Sequence, residues 1–127
     1  MTDRELGRRT WVFAAGHVPE RTTGHEPELT SRDELCLLNS AGADARVELT
    51  VYHPDRDPVG PYRLTVPARR VRHVRINDLI DPQAVPLGVA YGLVLDSDVP
   101  VVAQLRHLDT SQAALGVAIT SGLPVDG

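Results

Sequence analysis

The chain predicts an all-β fold, a single-domain antiparallel β-sandwich of about seven or eight short strands. Three observations carry this. Val and Leu dominate the apolar residues, ten Gly and ten Pro punctuate the chain densely, and apolar side chains recur at alternate positions in runs spaced about ten residues apart. Such a composition suits short strands and tight turns and disfavours helix. No strand is followed by a helix long enough for a parallel crossover, which leaves antiparallel pairing.

The first strand is Thr10-Trp11-Val12-Phe13-Ala14, which ends at Gly16. From Pro19 to Asp33 the composition is that of a loop, long enough to imply a role at a rim or interface. Glu34 to Leu38 is apolar on both faces and therefore central, and the cluster Asn39 to Asp44 turns the chain. Arg46 to Tyr52 alternates, with Val47, Leu49 and Val51 on one side. A polar turn with proline at both ends, His53 to Pro58, leads to Tyr62–Val66, where Tyr62, Leu64 and Val66 point inward. Pro67 marks an edge or a bend, since it donates no ladder hydrogen bond.

Arg69 to Ile76 concentrates charge in a strand. Alternation places Arg70, Arg72, Val74 and Ile76 on one face and Arg69, Val71, His73 and Arg75 on the other. Asn77 to Pro82 reads as a turn. Val89–Leu95 and Val99–Leu108 read as two strands separated by a turn at Asp96-Ser97-Asp98, and Leu115–Ile119 as the last. Asp109 caps a single helical turn running to Ala114.

At 127 residues, a domain buries roughly two thirds of its unfolded surface and is expected to fold without disulfides or a structural metal. The domain is expected to span 1–127, with flexible tails at 1–8 and 120–127. Cys36, in the run Leu35-Cys36-Leu37-Leu38, is expected to be a buried, inert thiol. No run approaches the ~18 apolar residues of a membrane span, and MTDRELGRR lacks the apolar core of a signal peptide. The expectation is a cytoplasmic chain that is not membrane-embedded.

Net charge is −4 with a pI near 5.6, so no global positive field favours nucleic acid. RRVRHVR is locally basic, but no aromatic is interleaved to stack bases. All 13 basic residues are Arg, so a cationic site here would be planar and bidentate.

Catalysis has little support. There is no G-x-S-x-G elbow and no phosphate loop. The five histidines are scattered; a zinc site from His17, His25 and Glu26 or Glu28 competes with plain solvated loop residues. The pairs Glu26/Glu28 and Asp96/Asp98 are equally explained as turn acids. No catalytic residue, metal or cofactor is expected.

The arginine strand is the stronger signal. Arg69, His73 and Arg75, joined by Asn77 and Asp78, offer planar donors, an imidazole and a carboxylate along one extended segment. That set suits a polyhydroxylated or anionic small molecule. The alternative is a solvated or salt-bridged sheet face with partners such as Glu48. Gln104 and Arg106 form a second polar set, opposite Val101, Ala103 and Leu105, that faces a cleft or a subunit interface.

The segment VGPYRLTVPARRVRHVRINDL, with Thr10-Trp11-Val12, Gly16-His17-Val18-Pro19, Cys36-Leu37-Leu38-Asn39, Val99-Pro100-Val101-Val102 and Gln104 to Asp109, resembles the soluble sensory-rhodopsin transducer family. The likeness covers about residues 8 to 114 and fades after Ala114. It implies a small β-sandwich that assembles as a homotetramer and acts without catalysis. Such a domain either relays a signal from a membrane photoreceptor or serves more generally as a module for sugars or related compounds. Within that resemblance Arg69, Arg70, His73, Arg75, Asn77 and Asp78 become the candidates for a ligand-lined or interface surface. Trp11 is either a stacking platform for a sugar ring or core filler. A sensor needs a pocket along the arginine strand; an adaptor needs an exposed patch, such as the loop from Pro19 to Asp33. The ligand-binding module is the preferred reading over the phototransducer.

Overall fold

The computed structural model describes residues 4–20, 31–111 and 116–125, the last without the side chains of Thr120 and Ser121. Eight strands are found among them: β1 (Arg8–Gly16), β2 (Arg32–Asn39), β3 (Ala45–Tyr52), β4 (Val59–Val66), β5 (Arg70–Arg75), β6 (Tyr91–Asp109), β7 (Gly116–Ser121) and β8 (Leu123–Val125). Their pairings are antiparallel, as the sequence predicts.

The 19-residue β6 organises everything else. Its first half pairs with β1 and β3, giving a layer in the order β4-β3-β6-β1-β8. Its second half pairs with β2 and β7, and β5 adds to β2, giving a second layer β5-β2-β6-β7. One strand thus passes from one layer to the other, an all-β sandwich architecture. The inward positions of both layers, among them Phe13, Val47, Leu49, Tyr62, Leu93 and Leu95 from the first and Leu35, Leu37, Ala103 and Leu105 from the second, form one buried cluster.

The expected turn at Asp96-Ser97-Asp98 is therefore strand. Turn composition yields there because the period-two pattern continues through it: Leu93, Leu95 and Ser97 are buried, while Asp96 and Asp98 face solvent. Neighbouring strands also satisfy the acids. Asp98 Oδ1 accepts from Arg46 N at 2.7 Å, and Asp96 Oδ1 accepts from Thr10 Oγ1 at 3.0 Å.

Other expectations shift at their ends. Val89 and Ala90 precede β6 rather than belonging to it, and β2 begins at Arg32, because Arg32 and Asp33 pair with Leu108 and His107. The predicted turn at Asn77 opens as a 3₁₀ turn over Ile76–Asp78, anchored by buried Ile76. Residues 120–125, expected in a tail, complete β7 and form β8, which pairs with Thr10–Val12 of β1. The helical turn expected up to Ala114 lies largely outside the described residues; Asp109 ends β6, with its Oδ1 accepting from Ser111 N at 2.9 Å and Ser111 Oγ at 2.6 Å.

Candidate functional site

The outer face of the second layer brings together the two polar sets read from the sequence. The arginine strand β5 and the second half of β6 do not touch; β2 lies between them and aligns both. Glu34 stands opposite Arg75 on one side and Arg106 on the other. One step along, Cys36 stands opposite His73 and Gln104. Directly opposed residues of an antiparallel pair share a face, so Arg75, Glu34 and Arg106 form one transverse row and His73, Cys36 and Gln104 the next.

Glu34 is the hub of the first row. Its Oε1 accepts from Arg106 Nη2 at 2.5 Å and Nε at 3.2 Å, and from Arg32 Nε at 3.2 Å. Burial pushes the Glu34 carboxyl up, but the hydrogen bonds and charges of Arg106 and Arg32 outweigh it and hold the group below its ordinary value. The same Glu34 hydrogen bond raises Arg106 above its usual value. Beside this row, along the edge of β5 away from β2, a recess of about 420 Å³ is lined by Glu34, Arg72, His73, Val74, Arg75, Asp78 and Leu79. Two guanidinium groups, Arg72 and Arg75, and two carboxylates, Glu34 and Asp78, line it together with the His73 imidazole.

The remaining predicted residues spread out. Arg69 precedes β5 in a left-handed backbone conformation, φ 54°, so the strand alternation that grouped it with His73 and Arg75 does not extend to it. Arg70 lies on the opposite face of β5 from His73, opposite Asn39, with its Nη1 donating to Arg69 O at 3.0 Å. Arg72 shares that side and donates to Thr65 O at 2.7 Å, tying the β5 edge to β4. Asn77 donates from Nδ2 to Ser31 O at 3.0 Å, while its buried Oδ1 has no donor among the described residues. Trp11 is in the first layer, packed against the core with Nε1 donating to Val101 O at 2.9 Å and Arg8 O at 3.1 Å. That is the core-filler geometry of the two weighed. Cys36 is only half-buried and sits in a polar row, so the expected apolar burial is corrected; burial nevertheless pushes its thiol up.

Sequence reasoning missed Glu34 and a second group, Asp33 with Tyr91 and His107. Asp33 is fully buried; Oδ2 accepts from Tyr91 OH at 2.5 Å and from His17 N at 3.0 Å, and Oδ1 lies 2.6 Å from His107 Nδ1. The Tyr91 ring lies against Gly16, where a Cβ would come within 2.3 Å of it, so this contact needs glycine. Burial first, then the Asp33 carboxylate, pushes the Tyr91 phenol upward. The signal was available: Asp33 has the same parity as Leu35 and Leu37, and a carboxylate on the inward side of a central strand demands partners. Of the imagined zinc set, His25, Glu26 and Glu28 lie outside the described residues, and no group of three metal-ligating side chains occurs among the described ones. Nor is any helix among them long and apolar enough to cross a membrane.

Fold and face together define a small β-sandwich with a polar face on one layer. The sequence model of the Anabaena sensory rhodopsin transducer family matches residues 6–124, and the chain belongs to that family. A solved structure of the Anabaena sensory rhodopsin transducer is 47% identical, with a TM-score of 0.74 over 80% of this chain and 98% of that one. A crystal structure of Thermotoga maritima 1070 is 28% identical, with a TM-score of 0.82 over 95% of this chain and 97% of that one. No curated protein matches. The segment GPYRLTVPARR covers β4, the following turn and the start of β5, and HVRINDL covers the end of β5 and the 3₁₀ turn.

Proposed function

We propose that the chain is a non-catalytic cytoplasmic sensory domain that binds a small polar ligand, a sugar or sugar acid, at the recess beside β5. The supporting observation is the alignment of Arg75, Glu34 and Arg106 in one row, of which Arg75 and Glu34 line that recess. Fixed guanidinium forks recognise carboxylate or vicinal hydroxyl oxygens in pairs. Arg72 and Arg75 offer donors to the carboxylate of a sugar acid, and the Glu34 and Asp78 carboxylates offer acceptors to sugar hydroxyls. His73 and Asp78 add a donor or acceptor each at the rim.

The same face favours self-association. Leu38, Val71, Val117 and Ile119 are between 41% and 63% exposed, and all project from this layer's outer side. Apolar groups displayed together on one face mark an interaction surface, which supports the homotetramer that the family resemblance implies. A second reading, an adaptor relaying a signal from a membrane photoreceptor, is favoured by the 47% identity to the Anabaena sensory rhodopsin transducer.

A thermal-shift screen against sugars and sugar acids tests the ligand reading. Ligand at about a hundred times Kd stabilises by about 2.7 kcal/mol, a rise of several degrees in Tm that Arg75→Ala should abolish. No response to any sugar or sugar acid, or an equal response in Arg75→Ala, rejects this site.

A further inference from the structure

A second recess lies at the opposite edge of the same layer and shares no lining residue with the first. It is about 370 Å³ and is formed by Ala15, His17 and Pro19 after β1, His107 to Asp109 at the end of β6, and Gly116 to Ala118 at the start of β7. Its walls are mostly apolar. Among the described lining residues there is no guanidinium, and the fixed charge is the carboxylate of Asp109, with the buried carboxylate of Asp33 behind His107. Ser111 N and Oγ both donate to Asp109 Oδ1. These bonds, aided by the nearby His17, hold Asp109 below the usual carboxylate range.

An anion entering this cleft meets a fixed negative charge, whereas an ammonium group finds a partner in it. Three metal-ligating side chains do not converge here among the described residues, so the geometry disfavours a bare cation. The apolar wall of Ala15, Leu108, Val117 and Ala118 calls for a carbon chain attached to the charge. We propose that this cleft binds a short primary alkylammonium ion, its nitrogen on the Asp109 carboxylate and its chain along Leu108 and Val117. This site is independent of the recess beside β5, with which it shares no lining residue.

The test is titration of the full chain with n-butylammonium, n-butyrate and n-butanol, followed by amide shifts in ¹H–¹⁵N spectra and by calorimetry. N-acetyl-lysine amide, run in parallel, separates a free amine from a lysine side chain carried by a partner. The ammonium should perturb residues 15–19, 107–109 and 116–118, with butyrate and butanol at least tenfold weaker. Asp109→Asn, which keeps an acceptor for Ser111, should weaken binding at least tenfold. Should that variant fail to fold, the parent protein decides: affinity must fall as ionic strength rises. Absence of ammonium binding, equal binding of butyrate, salt-independent affinity, or an Asp109→Asn variant that binds like the parent each overturns the proposal.

Discussion

Arg106 Nη2 stands 2.5 Å from Glu34 Oε1, and the same oxygen also accepts from Arg32. One carboxylate therefore restrains two guanidinium groups at the centre of the candidate face. Glu34→Gln keeps the shape, removes the charge and weakens both bonds. Charged hydrogen bonds are worth about 1.5–3 kcal/mol each, and with Arg106 partly exposed the lower end applies, so a loss of about 1–2 kcal/mol in chemical denaturation is expected. The same substitution raises the local positive charge, so a sugar acid should bind the variant more tightly than the parent. A variant as stable as the parent would show that Glu34 does not organise the row.

The pH dependence follows from the same carboxyl. Its folded-state value is below the ordinary 4.5, so its contribution is present in full above the unfolded value. It is lost as pH falls through the folded value. The stability gap between the parent and Glu34→Gln should be constant near neutrality and close progressively below about pH 4.5. Denaturation midpoints measured for both proteins from pH 7 to pH 3 check this, and a gap that widens on acidification contradicts the assignment.

Tyr91→Phe isolates the buried network. The ring stays against Gly16, but Asp33, fully buried, loses the donor at 2.5 Å. Leaving a buried acceptor short of a partner costs about 1–3 kcal/mol, so Tm should drop by several degrees with the fold intact by circular dichroism. An unchanged Tm would mean that His17 N and His107 alone satisfy the carboxylate.

Much of this architecture was legible because a two-residue period survives tertiary context. Val47, Leu49 and Val51, and Tyr62, Leu64 and Val66, point inward as their alternation requires, and β2 is central because both its edges are paired, although only one of its faces is buried. The Asp96-Ser97-Asp98 error has the opposite origin. Turn chemistry is a local preference, and a strand flanked on both sides by partners overrides it. The site was half legible: alternation found His73 and Arg75 on one face and Gln104 and Arg106 on another strand's outer face. Only register shows that Glu34 joins them, and register depends on pairing across 41 residues to Arg75 and 72 to Arg106, which no single window of sequence contains. Arg69 escaped the pattern through its backbone, since φ 54° interrupts the alternation one residue before β5 begins.

The apolar corners of the face make a final expectation. Val117 and Ile119 on β7 lie opposite Leu108 and Arg106, while Val71 and Leu38 occupy the diagonal corner beyond Cys36. Between them the charges alternate in sign, Arg75, Glu34, Arg106, an arrangement that a symmetry-related copy can complement. Ile119→Asp places a carboxylate at an exposed position, so in an isolated subunit its cost is small, within about 0.5 kcal/mol. In an assembly it buries an unpaired charge and weakens association by several kcal/mol. Light scattering coupled to size exclusion should therefore show a mass above that of one 13.8 kDa chain for the parent and a shift toward that mass for the variant. A parent that elutes at single-chain mass at every concentration, or a variant that assembles as the parent does, would remove this face from the interface and leave its apolar residues to another partner.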